Sequence, residues 1–87
     1  MAVVSIPSLM RDLTGGLARV DVDGRSVAEV VDALDAVYPG VKARLCEGAR
    51  LMPTLAVSVD GKLTRLGLSQ PVGPRSEIRF LRASEGG

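Results

Sequence analysis

The sequence contains no histidine and no tryptophan, and its 87 residues include only one cysteine, one tyrosine and one phenylalanine. Without histidine, the chain lacks the usual general base at neutral pH and the imidazole ligands of metal sites. A single cysteine cannot close an internal disulfide or supply a structural zinc site. We therefore expect a chain that binds no metal or cofactor and is not an enzyme in its own right.

Positive and negative charges are nearly balanced: the sequence has eleven Lys and Arg residues and ten Asp and Glu residues, which gives a net charge of +1. Such a balance provides no field to hold nucleic acid or an anionic membrane. No apolar run approaches the ~20 residues that span a bilayer. The first residues lack the basic region and long apolar run of a signal peptide. We expect a cytoplasmic protein whose partners are neither nucleic acids nor membranes.

Short alternating segments predict a sheet. Residues 2–6 are a β-branched run that Pro7 ends, and residues 17–22 place Ala18, Val20 and Val22 on one face, so the two predict a hairpin. Residues 55–59 and 77–81 predict two further strands, the last with Ile78 and Phe80 facing inward. Asp60-Gly61 is a strong signal for a tight hairpin turn.

The connecting segments are less regular. Residues 41–53 predict a loop with room for one short helix, and Gly48 and Pro53 interrupt any longer element. Residues 62–68 predict either a short return strand or an irregular segment. Residues 70–74 form a turn-rich bend that contains two prolines.

One helix is clearly predicted between these strands. Ser26 and Glu29 occupy the two positions of a capping box, and Pro39-Gly40 ends the helix at Tyr38. Its apolar positions recur at helical spacing and are Val27, Val30, Val31, Leu34 and Tyr38. We expect this stripe to be buried against Val20, Val57, Ile78 and Phe80.

The order hairpin, helix, then further strands predicts an α+β fold of the β-grasp type, with a mixed sheet and one main helix across one face. Residues 1–81 would form this domain, and residues 82–87 a flexible C-terminal tail.

The tail ends in Gly86-Gly87, which neither makes a turn nor caps a helix. Ordering glycine costs more chain entropy than ordering any other residue, so two of them add nothing to stability. A backbone without Cβ atoms is narrow enough to carry its terminal carboxylate into the active site of another protein. The alternative is a frayed end without function, as termini often are.

Together, the ordered elements and the terminal diglycine resemble the ubiquitin-like sulfur carriers of the ThiS/MoaD family. The Ser5-Ile6-Pro7 opening and the Thr14-Gly15-Gly16 loop are most similar to the CysO-type branch. The remaining fragments that carry the resemblance are the helix from Ser26 to Leu34, Tyr38-Pro39-Gly40, Val57-Ser58-Val59-Asp60-Gly61 and Gly86-Gly87.

The resemblance implies a protein substrate rather than a catalyst. An E1-like enzyme would use ATP and Mg to adenylate the carboxylate of Gly87, and a sulfur donor would then leave a thiocarboxylate there. Gly86, Glu85 and Ser84 would enter the partner's active site, although the family usually has small or apolar residues where Glu85 stands. The favoured acceptor is a PLP-dependent cysteine synthase, as in cysteine biosynthesis.

Alternatives remain open at this point. The chain could be the small subunit of molybdopterin synthase or a carrier for another thiolated product. It could also be a ubiquitin-like interaction module that is never activated.

Partner docking is predicted at Arg79, Arg82, Leu66 and Leu68, which lie in the last third of the chain. A solvated face would explain the same arginines, and core packing the same leucines. Cys46 lies near Arg44 and Arg50 but lacks an acid–base partner, so we interpret it as a small buried hydrophobe.

Overall fold

Two sheets and two helices make up the part of the chain that the structure describes, residues 1–83 of a computed structural model. In chain order the elements are β1 (Ala2–Ser5), β2 (Arg19–Val22), α1 (Val27–Val37), α2 (Val41–Leu45), β3 (Cys46–Glu47), β4 (Arg50–Leu51), β5 (Leu55–Val59), β6 (Lys62–Leu63) and β7 (Glu77–Arg82). Short 3₁₀ turns lie at Ser8–Met10 and Gly67–Ser69.

Five strands form the main sheet in the order β2-β1-β7-β5-β6. β1 pairs antiparallel with β2 and parallel with β7, while β7 pairs antiparallel with β5. The parallel pair at the centre requires a long crossover, and the segment that contains α1 and α2 supplies it. The predicted mixed sheet with one main helix across it, the β-grasp architecture, is confirmed.

Helix α1 begins where the capping box predicted. The Glu29 amide donates to Ser26 Oγ at 3.2 Å, and Glu29 Oε1 accepts the Arg25 amide at 3.0 Å. The helix ends at Val37 with Tyr38 as its C-cap, because Pro39 follows and disfavours helical backbone at the residue before it.

The apolar stripe of α1 is buried against the sheet, as predicted. Leu34 is fully buried, as are Val27, Val30 and Val31, and Tyr38 is half-buried against the same core. On the sheet side the core includes Val57, Ile78 and Phe80, while Val20 is only half-buried.

Strand β2 is shorter than predicted, since it starts at Arg19 and leaves Leu17 and Ala18 exposed. As the outermost strand it lies at the margin of the core, so its alternation buries Val22 but leaves Val20 only half-buried. The Ile6 amide still donates to the Ala18 carbonyl at 2.8 Å, which extends the pairing by one residue beyond Ser5.

Residues 41–53 contain the short helix that the sequence left room for and, in addition, a small hairpin that it did not predict. Helix α2 follows Gly40, and Asp35 Oδ1 accepts the amides of Gly40 and Lys42 at 3.1 and 3.0 Å, so a carboxylate from α1 caps α2. β3 and β4 then form a two-stranded hairpin outside the main sheet.

The turn at Asp60 and Gly61 is confirmed. Both residues have positive φ, 53° and 84°, which matches the right-handed twist of the strands that the turn connects. β6 after the turn has only two residues before the chain becomes irregular. Along residues 1–83, no helix has the length and apolar character needed to cross a membrane.

Candidate functional site

Strand β7 carries the C-terminal end of the described chain and lies at the centre of the sheet. It is held on one side by β1 and on the other by β5. Arg82 pairs with Leu55, and the Ala83 amide donates to the Thr54 carbonyl at 2.8 Å. The sheet therefore continues past the predicted boundary at residue 81, and Arg82 belongs to β7 rather than to the tail.

The tail residues Ser84, Glu85, Gly86 and Gly87 lie outside the described residues. Their assignment as the adenylated and threaded segment stays a prediction. The described chain ends at Ala83, immediately after a central strand, where the Ala83 amide still donates to the Thr54 carbonyl.

The start of β7 is fixed by the β5–β6 turn. Asp60 Oδ1 accepts the Glu77 amide at 2.9 Å, and Asp60 Oδ2 accepts the Ser76 hydroxyl at 3.1 Å. The Ser76 hydroxyl oxygen in turn accepts the Gly73 amide at 2.7 Å. The Asp60 amide also donates to the Glu77 carbonyl at 2.8 Å. One carboxylate thus joins the hairpin turn, the bend before β7 and the strand itself.

In residues 1–83 no helix packs on the face of the sheet opposite α1, which we call the open face, and this face carries a mostly polar row. Strand registers place Arg19, Ser5, Arg79, Ser58 and Leu63 side by side across β2, β1, β7, β5 and β6.

Glu77 lies between the two arginines of this row. Its carboxylate oxygens are 3.9 Å from a guanidinium nitrogen of Arg19 and 3.7 Å from one of Arg79. Arg11, Arg19 and Arg79 also line one shallow concavity of about 270 Å³ beside Leu81. In this half of the open face, the concavity is lined by three arginines and no acidic side chain, so it suits an acidic group of a partner, although Glu77 beside it partly balances the charge of Arg19 and Arg79.

The other half of the open face is partly apolar. Leu63 is 67% exposed and Leu81 is 36% exposed, and both line a groove of about 550 Å³ together with Ser58 and Arg79. The sequence analysis did not identify either leucine as a candidate docking residue. For Leu81 the signal was available, because it alternates with the inward-facing Ile78 and Phe80; β6 is too short to show any alternation.

The four predicted docking residues do not form one patch. Arg79 is exposed on the open face, whereas Arg82 is in register with Leu55 and lies on the opposite face, the same one as the inward-facing Ile78 and Phe80, although it is itself exposed at the end of the strand. Leu66 is 58% exposed, but Leu68 is half-buried and packs against the core. Of the four, only Arg79 lies in the face described above.

Cys46 lies at the start of β3 and is 7% exposed. Burial raises the pKa of its thiol, and the positive charge of Lys42 opposes that shift only in part. The Lys42 ammonium donates to Asp32 Oδ1 at 2.7 Å, which raises the pKa of Lys42. A buried neutral thiol is a poor nucleophile. No group of three or more potential metal ligands occurs within the described range, residues 1–83.

No family model matches the chain. Among solved structures, a chain in the crystal structure of the Amycolatopsis orientalis BexX/CysO complex is 32% identical in sequence to this protein. The match covers 100% of both chains and has a TM-score of 0.91. The chain belongs to the CysO-type, ubiquitin-like sulfur carrier proteins.

Other CysO proteins show the same likeness over nearly their whole length. The sulfur carrier protein CysO of Mycobacterium bovis is 29% identical over 97% of this chain and 96% of the relative. The crystal structure of Mycobacterium tuberculosis CysO is 27% identical and covers 97% of this chain and 100% of that one, with a TM-score of 0.88. SAMP1 from Haloferax volcanii, 22% identical with a TM-score of 0.72, shares the fold.

Proposed function

We propose that this CysO-type chain carries sulfur as a thiocarboxylate on Gly87 and donates it in cysteine biosynthesis. The observation that carries the proposal is the match to CysO carriers along the whole chain, with β7 leading into Gly86-Gly87. The absence of histidine is compatible with this role, because a carrier needs only its carboxylate.

Activation requires two steps on a partner enzyme of the E1 type. The Gly87 carboxylate oxygen attacks the α-phosphate of Mg-bound ATP, which forms an acyl adenylate and releases pyrophosphate. Hydrosulfide, delivered by a sulfur donor, then attacks the acyl carbon through sulfur, displaces AMP and loses its proton, which leaves a thiocarboxylate with a new C–S bond. The carboxylate alone is a poor electrophile, and adenylation supplies the leaving group.

The open face is the surface proposed to dock on that enzyme. It combines exposed Leu63 and Leu81 with the basic concavity around Arg79, and it includes residues of β7, the last described strand before the diglycine in the sequence. An apolar centre with charged groups at its rim is typical of protein interfaces. A partner site with acidic side chains would complement the arginines.

The proposed acceptor is a substrate held by a PLP-dependent cysteine synthase. The thiocarboxylate sulfur is a soft nucleophile that adds to an activated carbon of that substrate, so that cysteine is left attached to Gly87 until a hydrolytic step releases it. The CysO found in a complex with BexX supports the view that carriers of this type engage a second protein directly.

The test is a reaction of the intact chain with an E1-type enzyme, ATP, Mg²⁺ and a sulfur donor, followed by mass spectrometry. The expected product is heavier by the difference between sulfur and oxygen, and fragmentation places the change at Gly87. Deleting Gly87 or appending one residue abolishes it. Sulfur found on Cys46 instead of Gly87 would contradict the proposal.

The docking surface is tested separately with Arg79→Glu and Leu63→Ser, against Arg50→Glu on β4 as the control. Both open-face variants are expected to raise KM for the carrier in the activation reaction, and Arg79→Glu should reduce its salt dependence. Arg50 is exposed outside the main sheet, so its reversal should leave KM unchanged. Equal effects at all three positions would contradict the assignment of the face.

A further inference from the structure

One edge of the main sheet has hydrogen-bonding groups that nothing in residues 1–83 occupies. β2 is the last strand on its side, and it pairs only with β1. Such an edge is a template for another strand, and proteins that stay monomeric usually protect it with bulges, prolines or charges that repel a second strand.

The register of β1 and β2 determines which groups point outward. The Ile6 amide donates to the directly opposite Ala18 carbonyl, so this is a hydrogen-bonded pair. Pairs alternate along an antiparallel ladder, so Val20 and Val22 also face β1. The amides and carbonyls of Arg19 and Asp21 therefore point to the outer edge.

We propose that the occupant of this edge is β2 of a second copy of this chain, paired antiparallel about Val20. In that register Arg19 of each copy forms a hydrogen-bonded pair with Asp21 of the other copy. The outward amides of these residues then donate four backbone hydrogen bonds to the outward carbonyls of the other copy. The two Val20 residues face each other as the non-hydrogen-bonded pair on the symmetry axis.

Charge selects this register over its neighbours. Shifting the axis to residue 19 places Arg19 against Arg19, and shifting it to residue 21 places Asp21 against Asp21. Only the register centred on Val20 gives opposite charges at both hydrogen-bonded pairs, and like charges directly opposite each other destabilise a sheet. Arg19 is available for the pair, because its contact with Glu77 is long, 3.9 Å, and its side chain is 62% exposed.

The other face of the same seam is apolar. Ala18, Val20 and Val22 alternate with the charged residues and lie on the side of the sheet that α1 covers, where Ala18 is exposed, Val20 half-buried and Val22 already buried. Pairing about Val20 places Ala18 of each copy opposite Val22 of the other. The seam thus has charge complementarity on one face and apolar contact on the other.

This arrangement leaves β7 free, although Arg19 and Ala18 also line the concavity proposed for the activating enzyme. β7 lies two strands inward from the edge, so the second copy joins the sheet without covering the open-face leucines on β6 and β7. The contact is small, so the dimer should form only at high protein concentration.

Sedimentation equilibrium at low salt, from micromolar to millimolar chain, tests the proposal. The full chain of 9.1 kDa is expected to shift toward twice that mass as concentration rises. Arg19→Asp and Asp21→Arg should each lower the association constant about tenfold or more, because each creates two like-charged pairs. Lys62→Asp, at the opposite edge of the sheet, should leave it unchanged.

Mixing the two variants gives the sharpest outcome. Arg19→Asp chains combined with Asp21→Arg chains restore opposite charges at both pairs, so they should associate with each other although neither associates with itself. A chain that stays monomeric at millimolar concentration would overturn the proposal. So would two variants that dimerise as the parent does, or a mixture no heavier than its components. Circular dichroism of each variant verifies that the exposed substitutions leave the fold intact.

Discussion

Asp60 provides a direct test of how β7 is anchored, because two separable properties of this residue contribute. Its carboxylate accepts the Glu77 amide and the Ser76 hydroxyl, and its backbone has a φ of 53°, a conformation that Asp, Asn and Gly tolerate better than Ala. Each hydrogen bond contributes about 1 kcal/mol at a partly exposed site, and the left-handed backbone costs Ala about 1 kcal/mol more.

Asp60→Ala is therefore expected to lower the free energy of unfolding by about 3 kcal/mol. Asp60→Gly loses the same two hydrogen bonds, but glycine tolerates the positive φ, so the free energy of unfolding should fall by only about 2 kcal/mol. Asp60→Asn keeps an acceptor oxygen and the tolerance for positive φ, and it should cost about 1 kcal/mol.

Urea unfolding followed by circular dichroism measures all three variants, and the melting temperature of the Ala variant should fall by about 15 °C. If Gly were as damaging as Ala, the backbone argument would be wrong. If Asn were as damaging as Ala, the hydrogen bonds to β7 would not be the reason for the loss.

Three further predictions concern the core, the helix cap and the thiol. Leu34→Ala should cost about 2–5 kcal/mol in urea unfolding, whereas Val37→Ala on the exposed flank of α1 should cost less than about 0.5 kcal/mol. Ser26→Ala should cost about 1 kcal/mol, since it removes the side chain that caps the Glu29 amide. Cys46 should react slowly with a thiol reagent in the native protein and rapidly in urea. Because burial raises its pKa above the ordinary 9.0, stability should fall as pH rises from 9 to the folded-state pKa, and Cys46→Ala should remove that slope. Equal losses at Leu34 and Val37, an unchanged stability on capping loss, or fast native labelling would each contradict the corresponding argument.

The parts of the fold that sequence reasoning predicted are those with repeated local signals. Helix α1 has five apolar positions at helical spacing and a capping box, and the Asp60-Gly61 turn has a specific backbone requirement. β3 and β4 have two residues each, too few for any periodicity. The sequence left room for a short helix where α2 lies, but the cap that fixes its start comes from Asp35 on another helix. The formation of such elements depends on contacts between distant parts of the chain, which a short stretch of sequence does not reveal.

The candidate site likewise has features that local sequence indicates and features that depend on distant contacts. Arg79 and Leu81 both alternate with the inward-facing residues of β7, so the sequence alone indicates that both side chains face outward. That Arg82 takes part in the sheet depends on its pairing with Leu55, a contact between distant segments. The role of Gly86-Gly87 came from family resemblance, because two glycines alone do not distinguish a threaded tail from a frayed one.

The central claim is that sulfur is carried on the last residue, and intact-protein mass spectrometry after activation tests it most directly. The chain is incubated with an E1-type enzyme, ATP, Mg²⁺ and a sulfur donor, beside a Gly86→Val variant that should fold normally but fail activation, because a β-branched side chain widens and stiffens the tail. We predict that one oxygen is exchanged for sulfur at Gly87 in the parent chain and that the variant remains unmodified. An unmodified parent chain, or sulfur incorporated equally in both proteins, would contradict the claim.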